Sequence, residues 1–227
     1  MINDEKIKQD WDIYWNSKAS KGNNNRLYDK VASFYRKNII KRILNYHIFK
    51  YIPKGSKVLH AGCGSGQVDE DIINYLKLTA LDISPNAIRI YKQYNGEKAE
   101  TVLASIFNLP FEDSSFDAIY NLGVMEHFTE TEINLILIEF KRVLKDGGRL
   151  VILWPPEFGL SVFALDCIHF VLNKILRQSI KLHPDEISRI KSRKHAISFF
   201  EKSGFKVLNY YFGYMDFYTQ CVIVAEK

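Results

Sequence analysis

The sequence predicts a doubly wound α/β fold, and three observations carry that reading. Val58 and Leu59 lead from Lys57 into a loop with glycines at 62, 64 and 66, and helix-compatible residues follow from Gln67 to Leu76. Strand, glycine loop and helix in that order form a nucleotide-binding corner, because backbone without Cβ atoms lets a ligand lie against it. A second apolar run, Leu78-Thr79-Ala80-Leu81, ends in Asp82. An acidic residue roughly twenty positions past the first glycine can accept both ribose hydroxyls. Further on, Ile133, Ile136, Leu137, Phe140 and Leu144 make one apolar stripe over Thr131–Leu144, followed by a short strand pattern.

In chain order, Met1 to Gly55 precedes the first strand. Trp11, Tyr14 and Trp15 fall at helical spacing and form one aromatic face. Residues 22–25 are a loop, and Tyr28 to Phe49 reads as one helix or two. After the second strand, Ser84 and Pro85 are an N-cap and first-turn pair, which leaves Asp82 for a ligand rather than a cap. Val102 to Ala104 is the third strand, followed by Ser105 and Ile106. Phe116 to Asn121 is the fourth strand, ending in Asn121-Leu122-Gly123. Asp146-Gly147-Gly148 is a turn, and Arg149 to Leu153 is the fifth strand. Trp154-Pro155-Pro156 stops it at the sheet's carboxyl edge, where ligands gather. Ser161 to Ile180 is helical with a wide apolar face, and the region is basic through Lys174, Arg177, Lys181, Arg189, Lys191, Arg193 and Lys194. Two readings of that charge stand: a solvated face, or a lid that meets an anionic or lipid-linked substrate. Gly204 to Tyr211 and Cys221 to Ala225 are the last two strands.

The chain of 227 residues has the length of one domain with a substantial core. Its net charge of +5 lacks dense basic blocks, so no nucleic-acid partner is expected. Cys63, Cys167 and Cys221 are scattered, without zinc spacing, which suits a reduced cytoplasmic setting. There is no apolar signal segment and no run long enough for a transmembrane helix, although peripheral membrane contact is compatible with residues 158–194.

Taken together, His60-Ala61-Gly62-Cys63-Gly64-Ser65-Gly66, Leu81-Asp82-Ile83-Ser84, Leu109-Pro110-Phe111, Phe116-Asp117-Ala118-Ile119, Met125-Glu126-His127 and Arg142 to Gly148 resemble the successive motifs of class I S-adenosylmethionine-dependent methyltransferases. The resemblance covers Lys54 to Ile152 and Gly204 to the C-terminus. The glycines follow G-x-G-x-G rather than the G-x-G-x-x-G of nicotinamide enzymes. The family implies a Rossmann-like seven-stranded sheet, mostly parallel, with an antiparallel C-terminal edge strand and helices on both faces. It implies one domain: an N-terminal helical cap (1–53), a cofactor-binding core (54–153), a variable lid or substrate region (154–203) and C-terminal strands (204–227).

The implied cofactor is S-adenosyl-L-methionine, leaving S-adenosyl-L-homocysteine as product. The residues matching its site are His60, Gly62, Gly64, Gly66, Asp82, Ile83, Ser105, Ile106, Asn121 and Leu122. Tyr28 or Tyr35 is placed either to meet the cofactor's methionyl end or to pack the helices on the sheet. The implied function is methyl transfer to a small-molecule acceptor such as a sugar, a lipid-linked intermediate or another metabolite. The alternative is a silent protein that keeps the pocket for binding or regulation. Two departures bear on the choice: His60 stands where the family usually has Asp or Glu, and Ser105 where Asp is common. For a hydroxyl acceptor, His127 is the candidate general base, with His183 and His195 behind it and a structural role as its alternative. Glu126-His127 is also similar to metal-assisted quinone O-methyltransferases, but Gly123 occupies the place of their extra acidic residue, so no metal is expected.

Overall fold

The computed structural model describes residues 3–19, 26–159 and 186–227. Seven strands form one sheet: β1 (Lys57–Ala61), β2 (Lys77–Asp82), β3 (Glu100–Leu103), β4 (Phe116–Leu122), β5 (Leu144–Trp154), β6 (Lys206–Tyr211) and β7 (Cys221–Glu226). Their spatial order is β3-β2-β1-β4-β5-β7-β6. The first five are parallel to one another, and β7 runs antiparallel to both β5 and β6. The C-terminal pair therefore takes one end of the sheet, with β7 inside and β6 at the edge. Strand order reverses between β1 and β4, and the crevice beyond the carboxyl ends of those strands is the switch point where ligands sit in such sheets.

Alternate side chains of each central strand enter different cores. Leu59, Leu81, Ile119, Ile152 and Ile223 face one side. There they meet Ile133, Ile136, Leu137 and Phe140 of a helix at Glu130–Val143. Val58, Ala80, Ala118, Val151 and Val224 face the other side, against Ile43, Leu44 and Ile48 of a helix at Lys41–Tyr51. Burial on both faces is why these strands read as continuous apolar runs.

The helices are, in order, α1 (Asp4–Ala19), α2 (Arg26–Tyr35), α3 (Lys41–Tyr51), α4 (Ile72–Tyr75), α5 (Pro85–Asn95), α6 (Glu130–Val143) and α7 (Arg193–Lys202). A π-helical turn at Arg36–Ile40 joins α2 to α3, so the stretch expected as one helix or two is continuous with one wide turn. Ser84 caps α5 by accepting from the Ala87 N–H at 3.2 Å. Thr129 and Glu132 close a capping box on α6. Arg142, near the end of α6, donates to the carbonyls of Leu109 and Phe111 and to Asp113 and Glu139. That ties the Leu109-Pro110-Phe111 motif to the Arg142 motif.

Two elements differ from the sequence reading. The helix expected over Gln67 to Leu76 shrinks to Ile72–Tyr75. The Asp69 carboxylate is drawn inward by three side-chain donors, and residues 67–71 turn around it. The fifth strand starts earlier, at Leu144, and Asp146-Gly147-Gly148 is a bulge within it. Leu144 pairs with Phe116 and Arg149 with Ala118, so the residues between loop out. Gly147, at φ +73°, supplies the left-handed position. No helix among the described residues is long and apolar enough to cross a membrane.

Candidate functional site

A cavity of about 300 Å³ opens at the carboxyl ends of β1, β2 and β4. Its floor is the glycine loop. Gly62 N–H and Cys63 N–H both donate to the Leu81 carbonyl, at 2.8 and 2.9 Å, which locks the loop to β2. Each glycine is required by a different neighbour. A Cβ on Gly62 would stand 2.6 Å from Val124 Cγ2, one on Gly64 would stand 2.6 Å from Trp15 Cζ2, and one on Gly66 would stand 2.3 Å from the Tyr91 ring. All three have positive φ.

Asp82 lies beneath the loop, 7% exposed. Its Oδ2 accepts the Gly64 N–H and its Oδ1 the Ser84 N–H, both at 2.9 Å. It is therefore not wholly free, as the Ser84 cap suggested, but it lines the cavity and its oxygens have further lone pairs. Burial pushes its pKa up, against the pull of those two N–H bonds.

Ile83, Ser105, Ile106 and Leu122 also line the cavity. Asn121 does not. It is fully buried under the loop and braces it by donating from Nδ2 to the Ala61 carbonyl at 2.6 Å. His60 lines the cavity at 1% exposure, with Nδ1 bonded to Asp69 Oδ2 at 2.8 Å. Ser105 Oγ donates to Asp4 Oδ1 at 3.2 Å, so a carboxylate does stand beside it, brought from α1.

The roof is α1, whose Ile7, Trp11, Tyr14 and Trp15 line the cavity. Asp12 fastens this helix to α5. Its Oδ1 accepts the Ser84 hydroxyl at 2.7 Å, the Asn86 side-chain amide at 3.0 Å and the Asn86 N–H at 3.1 Å. Sequence reasoning found the aromatic face but missed Asp12 and Asp69, because no spacing signal links either to its distant partners.

Tyr35, Arg36 and Ile40, around the π turn, close another side. The Tyr35 hydroxyl bonds Thr219 Oγ1, and burial pushes its pKa up to about 12, so the phenol keeps its proton. The side chain of Tyr28 lies outside the described residues. His127 is on the wall, edge-on to Trp11 at 5.0 Å between ring centroids. His195 is not on the wall; its Nε2 sits 3.3 Å from Glu130. His183 and most of residues 158–194 lie outside the described residues, although Glu186 reaches the cavity.

Among the described lining residues, Asp82, Glu126 and Glu186 are carboxylates, and Arg36 is the only lysine or arginine. A wall with that excess suits a cationic ligand. No cluster of metal-ligating side chains occurs among the described residues.

A family profile described as "Methyltransferase domain" matches residues 59–152, the span from β1 to β5 that builds this floor. The chain carries a methyltransferase domain over those residues, on the Rossmann-like fold of the class I S-adenosylmethionine-dependent methyltransferases. It is 25% identical over 226 residues to the ubiquinone/menaquinone biosynthesis C-methyltransferase of Campylobacter jejuni, covering 88% of this chain and 92% of that one. It is 28% identical over 169 residues to a sterol 24-C-methyltransferase of Gibberella zeae, covering 70% of this chain and 42% of the relative. The chain thus spans less than half the length of that enzyme. The magnesium protoporphyrin IX methyltransferase of Synechocystis, solved with S-adenosylhomocysteine bound, superposes with a TM-score of 0.69 at 14% identity, over 99% of this chain and 100% of that one. That likeness shows a shared fold.

The residues present fit the family's cofactor. The glycine loop lines the cavity, Asp82 lines it with carboxylate oxygens that keep lone pairs, and His60 Nε2 is a buried atom without a hydrogen-bond partner among the described residues.

Proposed function

We propose that this protein transfers a methyl group from S-adenosylmethionine to a small, largely apolar acceptor. The observation that carries the reading is the meeting of the glycine cradle and Asp82 beneath an aromatic roof. When bound, the cofactor supplies the activated methyl group through its sulfonium, and the protein's part is to position. Gly62, Gly64 and Gly66 admit the cofactor against backbone, Asp82 accepts its ribose hydroxyls, and Ile83, Ser105 and Ile106 flank its base. Trp11, Tyr14, Trp15 and Phe128 give the remaining wall an apolar, flat character, which favours a planar or alicyclic acceptor. The quinone and sterol acceptors in the relatives' names agree with that chemistry. α1 excludes water, and holding both reactants in near-attack geometry supplies on the order of 7–11 kcal/mol. His127 serves as a general base only if the acceptor atom carries a proton that must leave. No observation favours a pocket kept for binding alone.

Calorimetric titration with S-adenosylhomocysteine, followed by labelled-methyl transfer to a panel of quinones, sterols and polar metabolites, tests the reading. Binding with a concentration-dependent rise in Tm is expected. Labelled product is expected among the apolar acceptors. Binding of a dinucleotide but of neither cofactor form would overturn the assignment.

A further inference from the structure

His60 and Asp69 form a fully buried pair beside the cavity. His60 is 1% exposed and Asp69 0%. Asp69 collects three donors: His60 Nδ1 at 2.8 Å and Tyr91 Oη at 3.0 Å on Oδ2, and Tyr120 Oη at 2.8 Å on Oδ1. Burial and the neighbouring carboxylate push both phenols well above their ordinary range, so both keep their protons and donate. An ionised carboxylate only accepts, so the ring nitrogen facing it carries the proton. That fixes the Nδ1–H tautomer and leaves Nε2 as an acceptor. The ring is held in place by stacking on Tyr120, with centroids 4.2 Å apart and planes 28° apart. Nε2 is buried and has no partner among the described residues, on a side chain that lines the cavity. A buried acceptor left empty carries a free-energy cost that a ligand donor removes.

We propose that His60 Nε2 accepts the α-ammonium of the cofactor's amino-acid end, and that Asp69 is the positioning residue that fixes its tautomer and supplies the negative charge behind it. This rests on the cofactor reading above. Asp82 at the end of β2 takes the ribose, and Ser105-Ile106 after β3 flank the base. The amino-acid end therefore runs the opposite way along the sheet edge, over β1 and toward β4, where His60 stands. The ammonium is the donor the cofactor has at that end. A neutral imidazole backed by a carboxylate presents one net negative charge, so the pair restores what an acidic residue at position 60 would give.

The test compares S-adenosylhomocysteine with 5′-methylthioadenosine, which keeps base and ribose but has no amino-acid end, by calorimetry. The wild-type protein is expected to bind both. His60→Leu is expected to weaken S-adenosylhomocysteine about tenfold or more, the scale of a hydrogen bond to a charged group, with methylthioadenosine unchanged. Asp69→Asn is expected to weaken S-adenosylhomocysteine, with methylthioadenosine again unchanged, and to release the fixed imidazole tautomer. Nitrogen-15 imidazole shifts are expected to report the Nδ1–H tautomer in the wild-type protein, which needs no variant to fold. Equal losses for both ligands in His60→Leu, no loss in that variant, or an Nε2–H tautomer in the complex would overturn the proposal. If neither ligand binds the wild-type protein, the cofactor reading falls and this proposal with it.

Discussion

Asp82 under the glycine loop and Asp12 on the helix above it both accept backbone N–H bonds, yet their ionisation moves in opposite directions. Burial pushes Asp82 up despite bonds from Gly64 and Ser84. The Ser84 hydroxyl first, and then Asn86, hold Asp12 below its usual range. Burial thus disfavours the charged form of Asp82 in the ligand-free fold. Asp12 is a clasp at the surface whose charged form favours the docked helix. The floor of the cavity belongs to the sheet and its two cores; the roof is a separate helix held by aromatic contact and a few polar bonds.

The sharpest way to break the comparison is to damage the floor itself. Gly66→Ala forces a Cβ to within 2.3 Å of Tyr91 and 2.5 Å of Asn95 at φ +62°. A left-handed alanine costs about 1–2 kcal/mol, and overpacking a further ~1–3 kcal/mol. Urea denaturation is expected to show a loss of about 3 kcal/mol, with cofactor binding lost too. A stability equal to wild type would mean that the loop is not integral to the core.

Next in size is Asp82→Ala. It removes the proposed ribose acceptor but also relieves a buried carboxylate, so fold stability is expected to change little. Cofactor affinity is expected to fall by about tenfold or more, corresponding to roughly 1.5–3 kcal/mol for hydrogen bonds to a charged group. Unchanged affinity with an intact circular dichroism spectrum would reduce Asp82 to a brace for Gly64 and Ser84.

The same contrast explains what the sequence discloses. Strand runs such as Leu78 to Leu81 and Phe116 to Asn121 are legible because burial on both faces demands apolar residues throughout. Gly62, Gly64, Gly66 and Asp82 are legible because close approach and charge leave residue types at set spacings. Asp69 is not, since its donors come from β1, α5 and β4, and in sequence it looks like one more residue of a helix that those donors cut short. Asp12 and Asp4 are hidden for the same reason. Their partners at 84, 86 and 105 are fixed only when α1 docks. Asn121 shows the converse error: the right motif at the right strand end, but its amide serves the loop from below.

The smallest effect concerns the clasp, and it decides whether the roof is a separate, reversible part. Three donors converge on Asp12 Oδ1, in the manner of a cap, so Asp12→Ala is expected to cost about 1 kcal/mol. That corresponds to roughly fivefold faster amide exchange along α1, with exchange in β1 and β4 unchanged. The pH dependence has a definite sign. A carboxylate with a lowered folded pKa contributes fully above the ordinary aspartate value, and the contribution is lost as pH falls through the lowered one. Because the group is largely at the surface, the effect is small and weakens with salt. Trp11 and Trp15 ride on α1, while Trp154 is buried in β5, so indole fluorescence separates the roof from the sheet. In the wild-type protein the α1 signal is expected to change in acid before the sheet signal does, and in Asp12→Asn that early step is expected to vanish. If α1 exchanges as slowly in Asp12→Ala as in the wild type, and the two signals move together in acid, the aromatic contacts alone hold the helix and the roof is as much a part of the core as the floor.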